Sequence, residues 1–232
     1  MVKSSTQVYR SGLLNQTAAG LLQHWLLAVN VLMGIYVLTP FAAPILMKVG
    51  LAPQGQAIYS VYSTQCHQLP ERSFFLFGQS FTYPIDRING ARGSTDVLTL
   101  RQFIGNDGMG YKVAWSDRMV SLYTSLWLGS LLYALLRSRI KPLPLLLVAL
   151  LLVPIFVDGS THFLSDLQGI GQGFRDTNDW LRALTSGVFP PSFYAGDGWG
   201  SFNSLTRLWT GILAGLALAW AVFPRLDPLI KI

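Results

Sequence analysis

Charge, cysteine and histidine are all scarce in this chain, and each scarcity excludes something. Only 12% of residues are Asp, Glu, Lys or Arg, against roughly 25% in an ordinary soluble domain. So few charges cannot solvate the whole surface of a soluble protein. The one cysteine, Cys66, rules out an intramolecular disulfide, so long loops must be held by packing and polar contacts. The three histidines, His24, His67 and His162, are too dispersed for a two-histidine haem between helices. His24 reads as an interfacial residue, with single-histidine pigment ligation as the alternative. There is no G-x-S-x-G, no H-E-x-x-H and no phosphate-cradling glycine motif. An internal repeat is also missing, which disfavours an inverted-repeat transporter.

Apolar residues are what the chain has in abundance, 51% of the total. They concentrate in four uncharged runs at 25–47, 119–136, 142–157 (or on to 164) and 208–224. At about 1.5 Å per helical residue each crosses most or all of a ~30 Å hydrocarbon layer. Lipid leaves helices as the economical way to satisfy the backbone. The expected fold is therefore an all-α integral membrane protein, one membrane domain over 1–232. Four transmembrane helices and two long loops, 48–118 and 158–207, make it up, with short helices in the loops. The bilayer is the first partner.

The net charge of +6 would suit nucleic acid, but the basic residues sit beside helix ends: Lys3 and Arg10, then Arg137, Arg139 and Lys141, then Arg225 and Lys231. That is the positive-inside pattern, and nucleic acid is excluded as a partner. The short loop 137–141 is expected to be cytoplasmic. Both termini follow it, and the two long loops lie outside the cell (inner) membrane. Residues 1–21 are polar, and the first apolar run is too long for a signal-peptide core, so the first helix is expected to be retained.

Local features refine the expectation. Pro40 and Pro44 fall in the outer half of the first helix and favour a kink. Ser121, Thr124, Ser125, Gly129 and Ser130 allow close approach by the second helix, and Gly211 with Gly215 forms a GxxxG in the fourth. Packing inside the bundle is favoured for that motif over homodimerisation. In loop one, the aromatics of 74–77 and 81–83 suit a membrane interface, and Asn106-Asp107-Gly108 is a turn. In loop two, Asp176 and Asp179 are placed to cap a short helix that Gly187 ends. Trp180, Leu181 and Leu184 would share one face of it.

Candidate chemistry is confined to the outer layer. Asp158, Thr161 and His162 share a helix face if the third helix continues past its apolar run. An ionised Asp158 near the hydrocarbon is expensive unless paired. Arg118 and Asp117 open the second helix at the same depth, so Asp158 and Arg118 are the expected ion pair. Cys66-His67-Gln68 and Glu71-Arg72 belong to the same layer. Cys66, His67, Asp158 and His162 make a conceivable zinc set, but adjacent Cys66 and His67 without a second cysteine are not zinc-motif spacing. A structural hydrogen-bonded cluster of Glu71, Arg72, Asp117, Arg118, Asp158, Thr161 and His162 is preferred. A Cys66–His162–Asp158 nucleophilic triad is weaker still. No catalytic residue or cofactor is assigned.

The stretch Cys66-His67-Gln68-Leu69-Pro70-Glu71-Arg72-Ser73-Phe74-Phe75-Leu76-Phe77-Gly78 resembles the signature of an uncharacterised family of bacterial membrane proteins, domain-of-unknown-function family 2085. The resemblance continues at Phe103-Ile104-Gly105-Asn106, Gly110-Tyr111-Lys112-Val113, Asp158-Gly159-Ser160-Thr161-His162 and 175–184. It implies a polytopic membrane protein and supplies no reaction, cofactor or substrate. Similar proteins often carry a further cysteine just before the second helix, where this chain has Ala114-Trp115-Ser116-Asp117-Arg118. That departure implies an incomplete cysteine-containing ligand set and favours a structural role. The leading functional expectation is a non-enzymatic subunit or interaction component of a membrane complex. The alternative is a membrane enzyme or metal-binding protein using the outward Cys/His/Asp layer. A small-solute transporter acting as an oligomer is third.

Overall fold

The computed structural model describes residues 24–230. Lys3, Arg10, Lys231 and the polar stretch 1–21 lie outside the described residues. Along the chain come α1 (Trp25–Lys48), α2 (Ala52–Tyr62), a 3-10 turn (Pro70–Arg72), β1 (Ser73–Leu76), α3 (Ile85–Arg92) and α4 (Val97–Leu100). Next are β2 (Gly105–Asn106), β3 (Gly110–Ser116), α5 (Asp117–Leu136) and α6 (Leu145–Asp166). The chain finishes with α7 (Phe174–Thr177), α8 (Asp179–Leu184), α9 (Pro191–Tyr194) and α10 (Phe202–Ile230). Among the described residues, α1, α5, α6 and α10 are long and apolar enough to cross a membrane.

Two of these helices outrun their apolar stretches. α6 continues to Asp166, and α10 starts at Phe202, a turn and a half before its apolar run. In both cases the extra turns carry buried polar side chains, Asp158, His162 and Ser165 on α6 and Asn203, Ser204 and Arg207 on α10. These side chains find partners across the interface, so hydropathy alone underestimates the helices.

Small residues set the closest helix contact. A Cβ at Gly211 would stand 2.0 Å from Ser121 Oγ, and one at Gly215 2.0 Å from Ser125 Oγ. The GxxxG of α10 therefore packs on α5 within the bundle, where Ser125 Oγ also donates to the Gly211 carbonyl at 3.3 Å. α1 joins through Asn30, whose Oδ1 accepts from Ser130 Oγ at 2.5 Å and whose carbonyl accepts from Trp127 Nε1 at 3.0 Å. α6 is different. Val148 is the sole buried residue in its first half, while Leu145, Leu146, Leu150, Val153 and Phe156 are exposed.

Residues 49–116 and 167–201 form a cap at the end where α1 and α6 finish and α5 and α10 begin. The first of these segments contains a three-stranded antiparallel sheet of order β1-β3-β2, with Phe75 opposite Lys112 and Asn106 opposite Gly110. The chain is thus helical with a small sheet, where the helical periodicities alone led us to expect only helices in the loops. The Asn106 turn joins β2 to β3, its Oδ1 accepting the Gly108 and Met109 amides at 3.0 and 2.8 Å. Gly110, at φ +73, must be glycine, because a Cβ would meet the Leu76 carbonyl at 2.1 Å.

Tyr59, Tyr62, Cys66, Phe74, Val113, Ala114 and Trp115 pack with Val37 and Ala43 of α1 and seat the cap on the bundle. Phe74, Phe75 and Tyr83 are buried in the cap. Only Phe77 and Phe81 of the aromatics expected at a membrane interface are exposed. The single short helix expected in the second loop is two, α7 and α8, broken at Asn178 with φ +47. Leu181 is buried, but Trp180 and Leu184 are exposed.

Candidate functional site

At the junction of cap and bundle four arginines meet four aspartates. Asp117 and Arg118 arrive on the first turn of α5, Asp158 and Asp166 on the last third of α6, and Arg207 on the second turn of α10. The cap supplies Arg72 from its 3-10 turn, Arg175 from α7 and Asp197 from the loop before α10.

Arg72 grips both oxygens of Asp166, Nη1 to Oδ2 at 2.7 Å and Nη2 to Oδ1 at 2.6 Å, and reaches Asp197 Oδ2 through Nε at 3.0 Å. Arg207 donates through Nε to both oxygens of Asp117, at 2.9 and 2.8 Å, and through Nη1 to Asp197 Oδ1 at 2.5 Å. Asp158 is shared: Arg118 Nη2 donates to Oδ2 at 2.7 Å and Arg175 Nη2 to Oδ1 at 2.8 Å. Positive and negative charges balance within this set.

Burial gives the pairing its weight. Charges removed from water are tolerated only where partners and hydrogen bonds replace the lost hydration. Asp197 is an example. Burial alone would raise its pKa, but Arg207 and Arg72 outweigh that and hold it well below the usual carboxylate range. For Arg72 burial works towards neutrality, and Asp197 and Asp166 overcome it and hold the guanidinium well above its ordinary value.

His162 sits inside the network, its Nε2 3.1 Å from Arg175 Nη2, 3.5 Å from Arg207 Nη1 and 3.7 Å from Asp158 Oδ1. Arginine only donates, so Nε2 is the acceptor and the ring proton belongs to Nδ1. That nitrogen is buried without a hydrogen-bond partner among the described residues. Thr161 is turned to its own helix, its Oγ1 donating to the Val157 carbonyl at 2.9 Å.

The sequence-derived candidates divide accordingly. Arg72, Asp117, Arg118, Asp158 and His162 come together, and Thr161 borders them, with Arg175 Nη1 3.5 Å from its Oγ1. Cys66 and His67 make no hydrogen bond to them, although His67 lies close enough that burial, and then Arg72 and Arg118, lower its pKa to about 4. Cys66 Sγ accepts the Gln68 and Ser116 amides at 3.4 Å each, and His67 Nδ1 accepts the Leu69 amide at 3.3 Å. Among the described residues no group of three or more His, Cys, Asp or Glu side chains is placed to hold a metal ion. Cys66, His67, Asp158 and His162 therefore form no ligand shell, and Cys66 no triad with His162 and Asp158.

Glu71 stands apart. It is 3% exposed, and among the described residues neither carboxylate oxygen meets a side-chain donor. Burial pushes its pKa up to about 7, against the pull of Arg72. Nearby, Lys112 is fully buried in β3 and donates through Nζ to the Gln68 and Arg101 carbonyls at 2.6 and 2.8 Å. Burial pushes its pKa down to about 7, with Glu71 opposing.

Sequence reasoning missed Asp166, Arg175, Asp197 and Arg207. Arg207 carries the clearest overlooked signal: a lone cation at the mouth of the fourth apolar run, at the depth already assigned to Asp117 and Asp158.

Comparison with known proteins is consistent with this architecture. A family model described as "Predicted membrane protein (DUF2085)" matches residues 108–221. That span covers α5, α6 and most of α10, and with them every member of the charge network except Arg72. The 66–78 motif precedes it. The uncharacterized protein MJ1492 of Methanocaldococcus jannaschii is 26% identical over 171 residues, which cover 69% of this chain and 83% of that protein. No solved structure gives a significant match.

Proposed function

With residues 108–221 identified as a DUF2085 membrane-protein region, we propose that the chain is a non-enzymatic subunit or interaction component of a membrane complex. It is a single membrane unit over 1–232 in the cell (inner) membrane. The cap faces outward and both termini face the cytoplasm. Arg137, Arg139 and Lys141 support that orientation, since they lie between α5 and α6, at the end opposite the cap. Its partners are the bilayer and other subunits.

One observation carries the reading: the second loop presents an apolar surface next to a charge network that is already satisfied. Trp180, Leu184, Val188 and Phe189 are between 45% and 76% exposed, while the neighbouring arginines and aspartates are spent on one another. Balanced, buried charge fixes a shape, and contiguous exposed apolar side chains mark where a shape is used. On this reading Arg72, Asp117, Arg118, Asp158, Thr161 and His162 hold the cap in place. Glu71 lies beside them.

The test is photocrosslinking in native membranes from a reactive amino acid at position 184 or 188, followed by mass spectrometry. A protein partner at fixed stoichiometry is expected, and Val188→Asp should abolish its co-purification. Crosslinks to lipid alone, with the protein isolated as a single species, would overturn the proposal.

A further inference from the structure

The end of the bundle opposite the cap carries an unbalanced charge. Outside 48–118 and 158–207 the chain has one acidic residue, Asp227, against Arg137, Arg139, Lys141 and Arg225 among the described residues. Arg225 turns to the Ala221 and Leu143 carbonyls at 2.6 and 2.5 Å. Asp227 pairs with Arg137. Arg139 and Lys141 are exposed and meet no carboxylate among the described residues.

A cavity of about 250 Å³ opens between α1 and α5 at this end. Leu26, Leu27, Leu131 and Ala134 line its walls, and His24 and Arg137 stand at the edge nearest the helix ends. Asn30, six positions further along α1, is spent on the Leu26 carbonyl and on Ser130. No carboxylate lines the cavity. Arg137 is 30% exposed and gives Asp227 only its Nε and Nη2, so its Nη1 is accessible and meets no acceptor among the described residues. His24 is exposed and makes no side-chain bond to the first turn of α1, whose amides face the same edge.

Donors at one edge and hydrocarbon walls beyond them match an anion carried on an apolar tail. A free inorganic anion would leave the leucine walls without a partner, and a neutral acyl chain would leave the guanidinium N–H unmatched. A basic pocket between spanning helices at headgroup depth is a site for an anionic lipid.

We propose that the α1–α5 cleft binds one anionic glycerophospholipid from the leaflet at that end. Arg137 Nη1 and the His24 imidazole hold its phosphate, and an acyl chain lies along Leu27, Leu131 and Ala134. Arg139 and Lys141 add attraction for the headgroup from the adjoining loop. The site holds for either orientation of the chain and needs no protein partner at the second loop.

The test is native mass spectrometry of the full-length protein, delipidated in an uncharged detergent and titrated with dioleoylphosphatidylglycerol. Dioleoylphosphatidylcholine and inorganic phosphate are run in parallel. One saturable phosphatidylglycerol adduct is expected, about tenfold or more tighter than the phosphatidylcholine one, as a charge-assisted contact implies. Ala134→Trp fills the cleft and leaves every charge in place. The Arg137→Gln/Asp227→Asn pair removes the cation without stranding the acid. Each should erase the preference, and His24→Ala should weaken it several-fold. Equal binding of the two lipids, or a preference that survives in whichever of these variants folds, would reduce the effect to surface charge and overturn the proposal. Displacement of the lipid by millimolar inorganic phosphate would make this a free-anion site and overturn it as well.

Discussion

Arg207 on α10 places its Nε 2.9 and 2.8 Å from the two carboxylate oxygens of Asp117, ninety positions earlier at the start of α5. Its Nη1 reaches Asp197 of the cap in the same stroke, so one guanidinium ties two helices and a loop. All three side chains are at most 6% exposed. Removing the cation alone strands buried Asp117 and leaves Asp197 with Arg72 only, a change that costs about 3–5 kcal/mol. Arg207→Met should therefore lower unfolding stability in detergent by that amount. Arg207→Lys should recover only part, because an ammonium cannot span both partners. A melting profile for Arg207→Met within about 1 kcal/mol of the parent would show that the network does not hold the fold.

Asp158 divides its two oxygens between unequal partners. Arg118 is 22% exposed and Arg175 only 8%. A stranded Arg118 can rehydrate and a stranded Arg175 cannot, so Asp158→Ala acts mainly through Arg175. Double-mutant cycles read this directly: coupling of Asp158 to Arg175 should exceed its coupling to Arg118, with each between about 0.5 and 3 kcal/mol. Equal couplings, or a larger one to Arg118, would refute the exposure argument.

How much of this was readable beforehand depends on which residues carry the information locally. The spans were legible because lipid demands an apolar side chain at nearly every position, and depth follows from counting along a helix. Counting likewise placed Asp158, Asp117 and Arg118 at one level. Arg72, Arg175 and Asp197 reach that level from the cap, and nothing in local spacing says which way a loop folds back. The sheet was illegible for a related reason. β1 and β2 have four and two residues, and β3 is buried on both faces, so the alternation that reveals a strand is missing. Glu71 shares the outer layer with Arg72 in the sequence, but adjacent side chains in a turn diverge, and its oxygens make no hydrogen bond to the cluster.

The two glycines of the α10 motif differ in what opposes them. At Gly211 the worst clash of an added Cβ is with Ser121 Oγ at 2.0 Å, the nearest backbone atom being 3.1 Å away. At Gly215 the backbone itself intrudes, with the Leu122 carbonyl at 2.4 Å and the Leu126 nitrogen at 2.8 Å. Gly211→Ala and Gly215→Ala should each lose about 1–3 kcal/mol by overpacking. Ser121→Gly should restore much of the first loss, while Ser125→Gly should leave the second largely in place. Rescue of both, judged by thermal unfolding, would place the helices further apart than described.

Glu71 and Lys112 each carry a pH-dependent share of the stability. Glu71 has a folded pKa of about 7, above its ordinary 4.5, so its favourable contribution is complete below pH 4.5 and is lost as pH rises through 7. Lys112 has a folded pKa of about 7, below its ordinary 10.5, so its contribution is complete above pH 10.5 and is lost as pH falls through 7. Both losses meet at neutrality. One pKa unit corresponds to about 1.4 kcal/mol, so each arm is on the order of a few kcal/mol. The Glu71 arm is read as a difference: the stability of the parent minus that of Glu71→Gln should fall between pH 4.5 and 7. His67, whose pKa burial lowers to about 4, gains stability over nearly the same range and offsets it in the total. Glu71→Gln should remove the Glu71 arm, so that stability rises with pH from about 4 to 6.5 through His67, and keep the alkaline arm. Lys112→Met should do the opposite, although it also leaves the Gln68 and Arg101 carbonyls without their donor. A pH profile of stability that neither substitution changes would show that these groups are solvated or paired in the folded protein.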